Sequence, residues 1–158
     1  MISSSTDRLD IIALEEDDPI PMELLALTDA SPEFLRVYLP CCIILVAKQE
    51  DVNIGVLTLC PENREKMEVG HLAVHPAFRR QGVARLLLEE ACRRALRLGY
   101  KSLQVCISNA HTKSFQRYQQ YGFALTDVRW HYYTDHYPQP IEVDGIPCRH
   151  QFVLNKSI

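Results

Sequence analysis

Long apolar runs are missing from this 158-residue sequence: the longest is the stretch over residues 41–47. A membrane-crossing helix needs roughly 20 such residues, so no helical span is expected. The opening MISSSTDR lacks the apolar core of a secretory leader, and a cytoplasmic protein is the expectation. CxxC pairs are missing as well. The six cysteines stand at 41, 42, 60, 92, 106 and 148, most of them inside apolar runs. That placement reads as small buried hydrophobes kept reduced, not as a disulfide or metal framework. His71 and His75 are four residues apart, which suits a metal only on a helix. They fall in a strand-like stretch, where that spacing spans roughly 13 Å, and no metal site is expected. Excess basic charge is missing too: 17 Lys and Arg against 20 Asp and Glu leave a formal charge of −3. Sequence-independent nucleic-acid binding is therefore disfavoured.

What is present fits a globular chain. Hydrophobic residues make up 47% and charged residues 23%, enough to bury a core, and the length fits one domain over residues 1–158. All nine prolines lie outside residues 77–137, so the middle of the chain suits long regular elements. Patterning predicts a strand over 8–14 and short helices over 22–27 and 32–38, the second with Ser31 as N-cap and Pro32 at its first position. The β-rich runs 41–48, 53–60 and 67–75 read as an antiparallel meander. Val83, Leu87, Ala91, Ala95 and Leu98 recur at helical spacing, with Gly99 as the stop. A short apolar strand over 103–107 and a helix over 111–121, stopped by Gly122, follow. Strands over 123–133 and 148–154 close the chain, with an irregular loop between them. Strand, crossover helix and strand imply that 67–75 and 103–107 run parallel.

Charge is unevenly spread. Residues 7–33 hold nine acids and one base, whereas 79–101 hold seven bases and two acids. Part of the basic block falls at a telling place, in LAVHPAFRRQGVARLLL over residues 72–88. A strand ends at His75-Pro76, a turn carries Arg79, Arg80 and Gln81, and Gly82-Val83-Ala84 opens the long helix. The first turn of a helix offers unpaired N–H groups and the positive end of its dipole, and a glycine there lets a phosphate approach the backbone. Arginines add charge and forked donors. A plain strand-to-helix turn with surface arginines would look the same, so context decides.

The spacing is neither GxGxxG nor GxxxxGK[ST]. Arg79-x-x-Gly82-x-Ala84 after a strand ending LAVHP resembles the pyrophosphate-binding signature of the GNAT superfamily of N-acetyltransferases. Tyr118-Gln-Gln-Tyr121-Gly122-Phe123 resembles the ending of that family's second main helix. The tight match covers about residues 68–123. The resemblance implies a mixed α/β fold: a mostly antiparallel sheet of about seven strands, splayed between two central parallel strands and flanked by about four helices. It implies that acetyl-CoA is the co-substrate, with its pantetheine arm along the backbone of Leu72, Ala73 and Val74. Its pyrophosphate would rest on Gln81, Gly82, Val83 and Ala84, helped by Arg79 and Arg80. Asn109 matches an asparagine that touches the cofactor, although its spacing to Tyr118 is two residues longer than is common. Ser114 takes the place of an alanine on the facing helix.

Acetyl transfer to an amine needs a neutral nucleophile, a stabilised oxyanion and a protonated thiolate. The resemblance assigns Tyr118 as general acid near the CoA sulfur and Glu68 as general base acting through water. Glu68 shares a strand face with Val74 if no bulge intervenes. The amide of Ala73 or Val74 is the natural oxyanion donor, and Gly70 marks the place where a bulge would aim it. His71 and Tyr121 are substitute proton carriers, with packing the plainer role for each. Cys106 has no adjacent His or Asp pattern to activate it, so a covalent relay is not expected. The family's acceptor site maps to residues 15–38 and 133–147, and the acids Glu15, Glu16, Asp17 and Asp18 predict a cationic amine. The aromatic cluster Trp130, His131, Tyr132, Tyr133, His136 and Tyr137 would either line its mouth or simply pack along a strand. A non-catalytic acyl-CoA sensor would carry the same cradle. A nucleic-acid binder would instead present Arg85, Arg93 and Arg97 as one exposed stripe. Homodimerisation is a base-rate expectation for a small soluble protein.

Overall fold

Runs rich in β-branched and aliphatic residues pull the first part of the chain into four antiparallel strands, β1 (Leu9–Ala13), β2 (Ile43–Gln49), β3 (Val52–Pro61) and β4 (Lys66–Val74). This computed structural model describes residues 8–28 and 31–158; the first seven residues of the opening MISSSTDR, and Asp29 of the acidic block, lie outside them. Glu50 and Asp51 adopt left-handed φ of 50° and 65°, the mirror-image turn that matches the twist of a two-residue hairpin. Helices α1 (Met22–Leu25) and α2 (Pro32–Tyr38) separate β1 from β2. The Phe34 N–H donates to Ser31 Oγ at 3.2 Å, the expected cap.

β3 is buried from Ile54 to Cys60 because both of its faces are covered. On one face Leu24, Leu25, Leu35 and Leu39 pack with Ile44, Val46, Val56 and Ala73. The other face receives α3 (Val83–Arg97), which buries Val83, Leu87, Leu88, Ala91 and Ala95. Gly55 permits the close approach, since a Cβ there would stand 3.0 Å from Val83 Cγ1 and 3.1 Å from Leu87 Cδ1. Gly99, at φ 93°, ends the helix, as its position predicts.

The chain divides between Lys101 and Ser102 into two compact units. The second contains β5 (Ser102–Ser108), α4 (Thr112–Gln120), β6 (Ala124–Arg129), α5 (Tyr132–His136), a small hairpin β7 (Glu142–Val143) and β8 (Ile146–Pro147), and β9 (Gln151–Ser157). β9 pairs antiparallel with both β5 and β6. Among the described residues the class is thus mixed α/β, with seven longer strands and mostly antiparallel pairing.

Three expectations need correction. The strand expected to reach residue 133 ends at Arg129, because His131 turns left-handed at φ 59° and opens α5. Its aromatic residues stack at i, i+4 spacing, Tyr132 on His136 and Tyr133 on Tyr137 with centroids 4.5 and 5.6 Å apart. The loop before the last strand contains the β7–β8 hairpin, turned at Asp144-Gly145 with φ 50° and 79°. Cysteine is the third case. Cys42 and Cys60 form a disulfide with Cα atoms 4.6 Å apart, because the β2–β3 register that pairs Ile43 with Leu59 sets residues 42 and 60 opposite each other. Among the remaining cysteines only Cys148 is buried, while Cys41 is exposed.

Candidate active site

The loop between β4 and α3 is held from both ends. The His75 N–H donates to the Ile54 carbonyl at 2.7 Å, and His75 Nδ1 accepts from the Ala77 N–H at 3.1 Å. Arg79 Nε donates to the Val74 carbonyl at 3.1 Å, tying the basic turn to the strand end. Arg80 and Gly82 both lie in the left-handed region, at φ 64° and 81°. Gly82 is the N-cap of the 15-residue α3, and the first turn of that helix carries no acid. Without a side chain, this cap leaves the first-turn N–H groups for another partner. A Cβ on Gly82 would meet nothing within 4 Å. The cap is thus open at Gly82, the first-turn donors have no side-chain cap, and Arg79, Arg80 and Gln81 are exposed beside it, a combination that fits a pyrophosphate.

β4 changes face halfway along. Its partners on β3 are Cys60 for Glu68, Leu59 for Val69, Thr58 for His71, Leu57 for Leu72, Val56 for Ala73 and Gly55 for Val74. Gly70 is the extra residue, so a bulge stands where its glycine suggests. Side chains alternate along β3, and cross-strand partners share a face. Glu68, His71 and Ala73 therefore lie on the face covered by α1 and α2, while Leu72 and Val74 lie on the face of Gly55. Glu68 does not share a face with Val74, because the bulge breaks the alternation. Beside it, Thr58 Oγ1 and His71 Nδ1 stand 3.1 Å apart. The ring of Tyr38 meets His71 edge-on, centroids 5.3 Å apart. Burial pushes the His71 imidazole below its ordinary range, and the Glu68 charge opposes that shift.

In the second unit, Ser114 and Tyr118 stand four residues apart on α4, along one face of the helix. The Tyr118 ring is edge-on to Phe123 at 5.4 Å and to Tyr121 at 6.4 Å. The residue is partly exposed overall, and burial, with the neighbouring Tyr121, pushes the phenol well above its ordinary range. Asn109 is heavily engaged. Its Oδ1 accepts from the Arg149 and His150 N–H groups at 2.7 and 3.0 Å, and its Nδ2 donates to the Pro147 carbonyl at 3.1 Å. That clamp leaves one amide hydrogen for any other partner. Asn109→Ala is accordingly expected to cost about 1–3 kcal/mol of stability and to shift acetyl-CoA affinity by less than about threefold, about 0.6 kcal/mol. Thermal unfolding with and without acetyl-CoA separates the two effects.

Sequence reasoning missed Thr58, Tyr38 and Gln151. Gln151 accepts from Arg129 Nη1 at 2.7 Å and bonds the Tyr133 hydroxyl, whose pKa burial nonetheless pushes up to about 12. Tyr38 left one signal, an aromatic partner at i−4: the Phe34 and Tyr38 centroids stack 5.3 Å apart. Arg93 does not belong to a free basic stripe, since its Nη2 pairs with Glu90 at 2.7 Å. Among the described residues no three His, Cys, Asp or Glu side chains gather as a metal ion would require, and no helix is long and apolar enough to cross a membrane.

Residues 9–123 match the model of the acetyltransferase (GNAT) family. A crystal structure of a GNAT family acetyltransferase from Elizabethkingia anophelis with acetyl-CoA bound is 34% identical, with a TM-score of 0.89 over 96% of this chain and 99% of that one. An acetyltransferase of Bacillus subtilis in complex with CoA is 25% identical, with a TM-score of 0.88 and the same coverage of 96% and 99%. The uncharacterized N-acetyltransferase YvbK of Bacillus subtilis (strain 168) is 26% identical over 135 residues, 85% of this chain and 87% of that protein.

Proposed function

Because the chain belongs to the GNAT family of acetyltransferases, we propose that residues 1–158 act as one catalytic domain that moves the acetyl group of acetyl-CoA directly to a primary amine. The amine belongs to a small molecule or to a peptide or protein. The observation that carries this reading is the uncapped N-terminus of α3 behind Gly82, with open space where a Cβ would stand. Gln81, Gly82, Val83 and Ala84 take the pyrophosphate, with Arg79 and Arg80 supplying countercharge. Leu72, Ala73 and Val74 take the pantetheine arm, and Asn109 and Ser114 border the cofactor. An amide of Ala73 or Val74 holds the oxyanion. Glu68 supplies the carboxylate charge that helps draw a proton from the ammonium, and Tyr118 protonates the departing thiolate. The decisive experiment follows CoA thiol release over a panel of amines. Acetyl-CoA that raises the melting temperature while no amine is acetylated would leave only a sensor.

Gly82→Ala probes the cradle. A left-handed φ costs a residue with a Cβ roughly 1–2 kcal/mol, and the methyl would fill the anion's space. The KM for acetyl-CoA is expected to rise about tenfold, with kcat at saturation changed far less.

The acidic block bears on the acceptor. Glu15, Glu16, Asp17 and Asp18 are all exposed, and Asp18 caps its own turn by accepting from the Glu15 N–H at 2.7 Å. Attraction of a cationic amine would make kcat/KM fall as salt rises. Indifference to salt and to neutralising these four residues would remove this preference. We assign the protein to the cytoplasm, a compartment in which the Cys42–Cys60 pair meets reductants.

A further inference from the structure

The fold builds a setting around His71 that packing alone does not require. The imidazole lies on the α1 and α2 face of the sheet, where the bulge at Gly70 has brought it to the same side as Glu68. From β3, Thr58 meets Nδ1 at 3.1 Å and is itself fully buried. From α2, Tyr38 and Phe34 close on the ring at 5.3 and 6.3 Å. The titratable groups facing His71 are Glu68 on its own strand and Tyr38 on α2; the nearby Cys60 of β3 is held in its disulfide, and α1 contributes the apolar Leu24 and Leu25 to this face.

We propose that His71 is the base that takes the proton from the acceptor ammonium, with Thr58 setting its tautomer and Glu68 stabilising the imidazolium that forms. The inference rests on the acetyltransferase reading and refines the part given there to Glu68. With the Nδ1 proton donated to Thr58 Oγ1, the lone pair stands on Nε2, the nitrogen away from the buried hydroxyl. Nε2 removes one proton from R–NH3+, directly or through one water. The freed nitrogen pair forms the N–C bond to the acetyl carbonyl, and the C–S bond breaks as the oxyanion collapses. The thiolate takes the Tyr118 proton, and the phenolate recovers one from the nitrogen that becomes the amide. His71 passes its proton to solvent, so the sum is ammonium plus acetyl-CoA giving amide, CoA thiol and one proton. Burial keeps the imidazole neutral at pH 7, as a proton acceptor must be, and the Glu68 charge favours its cationic form. Glu68 is then a positioning residue whose effect is felt through His71.

The test compares two measurements on the full chain. One is the pH profile of kcat/KM with an amine found by thiol release; the other is the NMR titration of the His71 ring, assigned by its loss in His71→Gln. The acid limb is expected to coincide with the His71 midpoint, below 6.5. His71→Gln should lower kcat/KM at pH 7 on the order of 100-fold and abolish that limb. Glu68→Gln should keep the limb but move it, together with the His71 midpoint, to lower pH. The Glu68→Gln comparison stands even if His71→Gln fails to fold. A limb that survives His71→Gln, or that vanishes in Glu68→Gln while His71 still titrates, overturns the proposal and makes Glu68 the base. If the unaltered protein binds acetyl-CoA and acetylates no amine, the acetyltransferase reading falls and this one falls with it. The first two outcomes leave that wider reading standing.

Discussion

Tyr118→Phe is expected to lower kcat on the order of 100- to 1,000-fold while acetyl-CoA binds within about twofold of the unaltered protein. The substitution removes one oxygen and keeps the ring that packs on Phe123 at 5.4 Å, so the helix end persists. In the proposed role, what goes is the proton for the thiolate. Burial and the neighbouring Tyr121 hold the phenol above its ordinary range, so the hydroxyl is fully protonated at pH 7 and the proton is always at hand. The same shift makes it a reluctant acid toward a thiolate of ordinary pKa about 8.5. Transfer is then favourable only when the phenolate regains a proton at once, and the nitrogen on its way to an amide supplies it. A pH consequence follows with a definite sign. An acid whose pKa is raised loses its proton later, so kcat should not decline near pH 10 on account of Tyr118. A kcat equal to that of the unaltered protein at saturating acetyl-CoA would sink the general-acid role.

The parts legible in the sequence are those fixed over short distances. The strand end, the basic turn, Gly82 and the first turn of α3 lie within one 17-residue stretch, and local rules for glycine and helix termini suffice to read them. Glycine stops at 99 and 122 are equally local, with φ of 93° and 96°. Asn109 shows the opposite case. Its partners lie about 40 residues on, and no spacing rule announces that a side-chain amide will hold a distant loop. The disulfide depends on hairpin register, which a turn of unknown length leaves open until the strands pair. The aromatic run 130–137 is a miss of another kind, because the β propensity of its Trp and Tyr residues competes with i, i+4 repeats that the fold uses instead. Strand parity on β4 was readable only up to the bulge. One inserted residue moves every later side chain to the other face, and so decides which groups His71 meets.

Gly70→Ala tests that bulge most directly. A Cβ built on Gly70 would overlap the Tyr38 hydroxyl oxygen and lie 2.8 Å from ring carbon Cζ. The Tyr38 ring cannot step aside cheaply, since it packs against the core under α1 and α2, stacks on Phe34 and meets His71 edge-on. Overpacking of this kind costs about 1–3 kcal/mol, and each kcal/mol lowers the melting temperature of a chain this size by roughly 2–4 °C. The larger loss is expected in kcat/KM, about tenfold or more, because displacing the aromatic wall by an ångström moves His71 and the backbone at Ala73 that follows the bulge. Tyr38→Phe in the same chain should restore part of the stability by removing the overlapping oxygen. It should not restore all of it, because Cζ remains too close. Unchanged melting and unchanged kcat/KM in Gly70→Ala would mean that Tyr38 is free to move, and the close fit between α2 and the bulge would then have no part in placing His71.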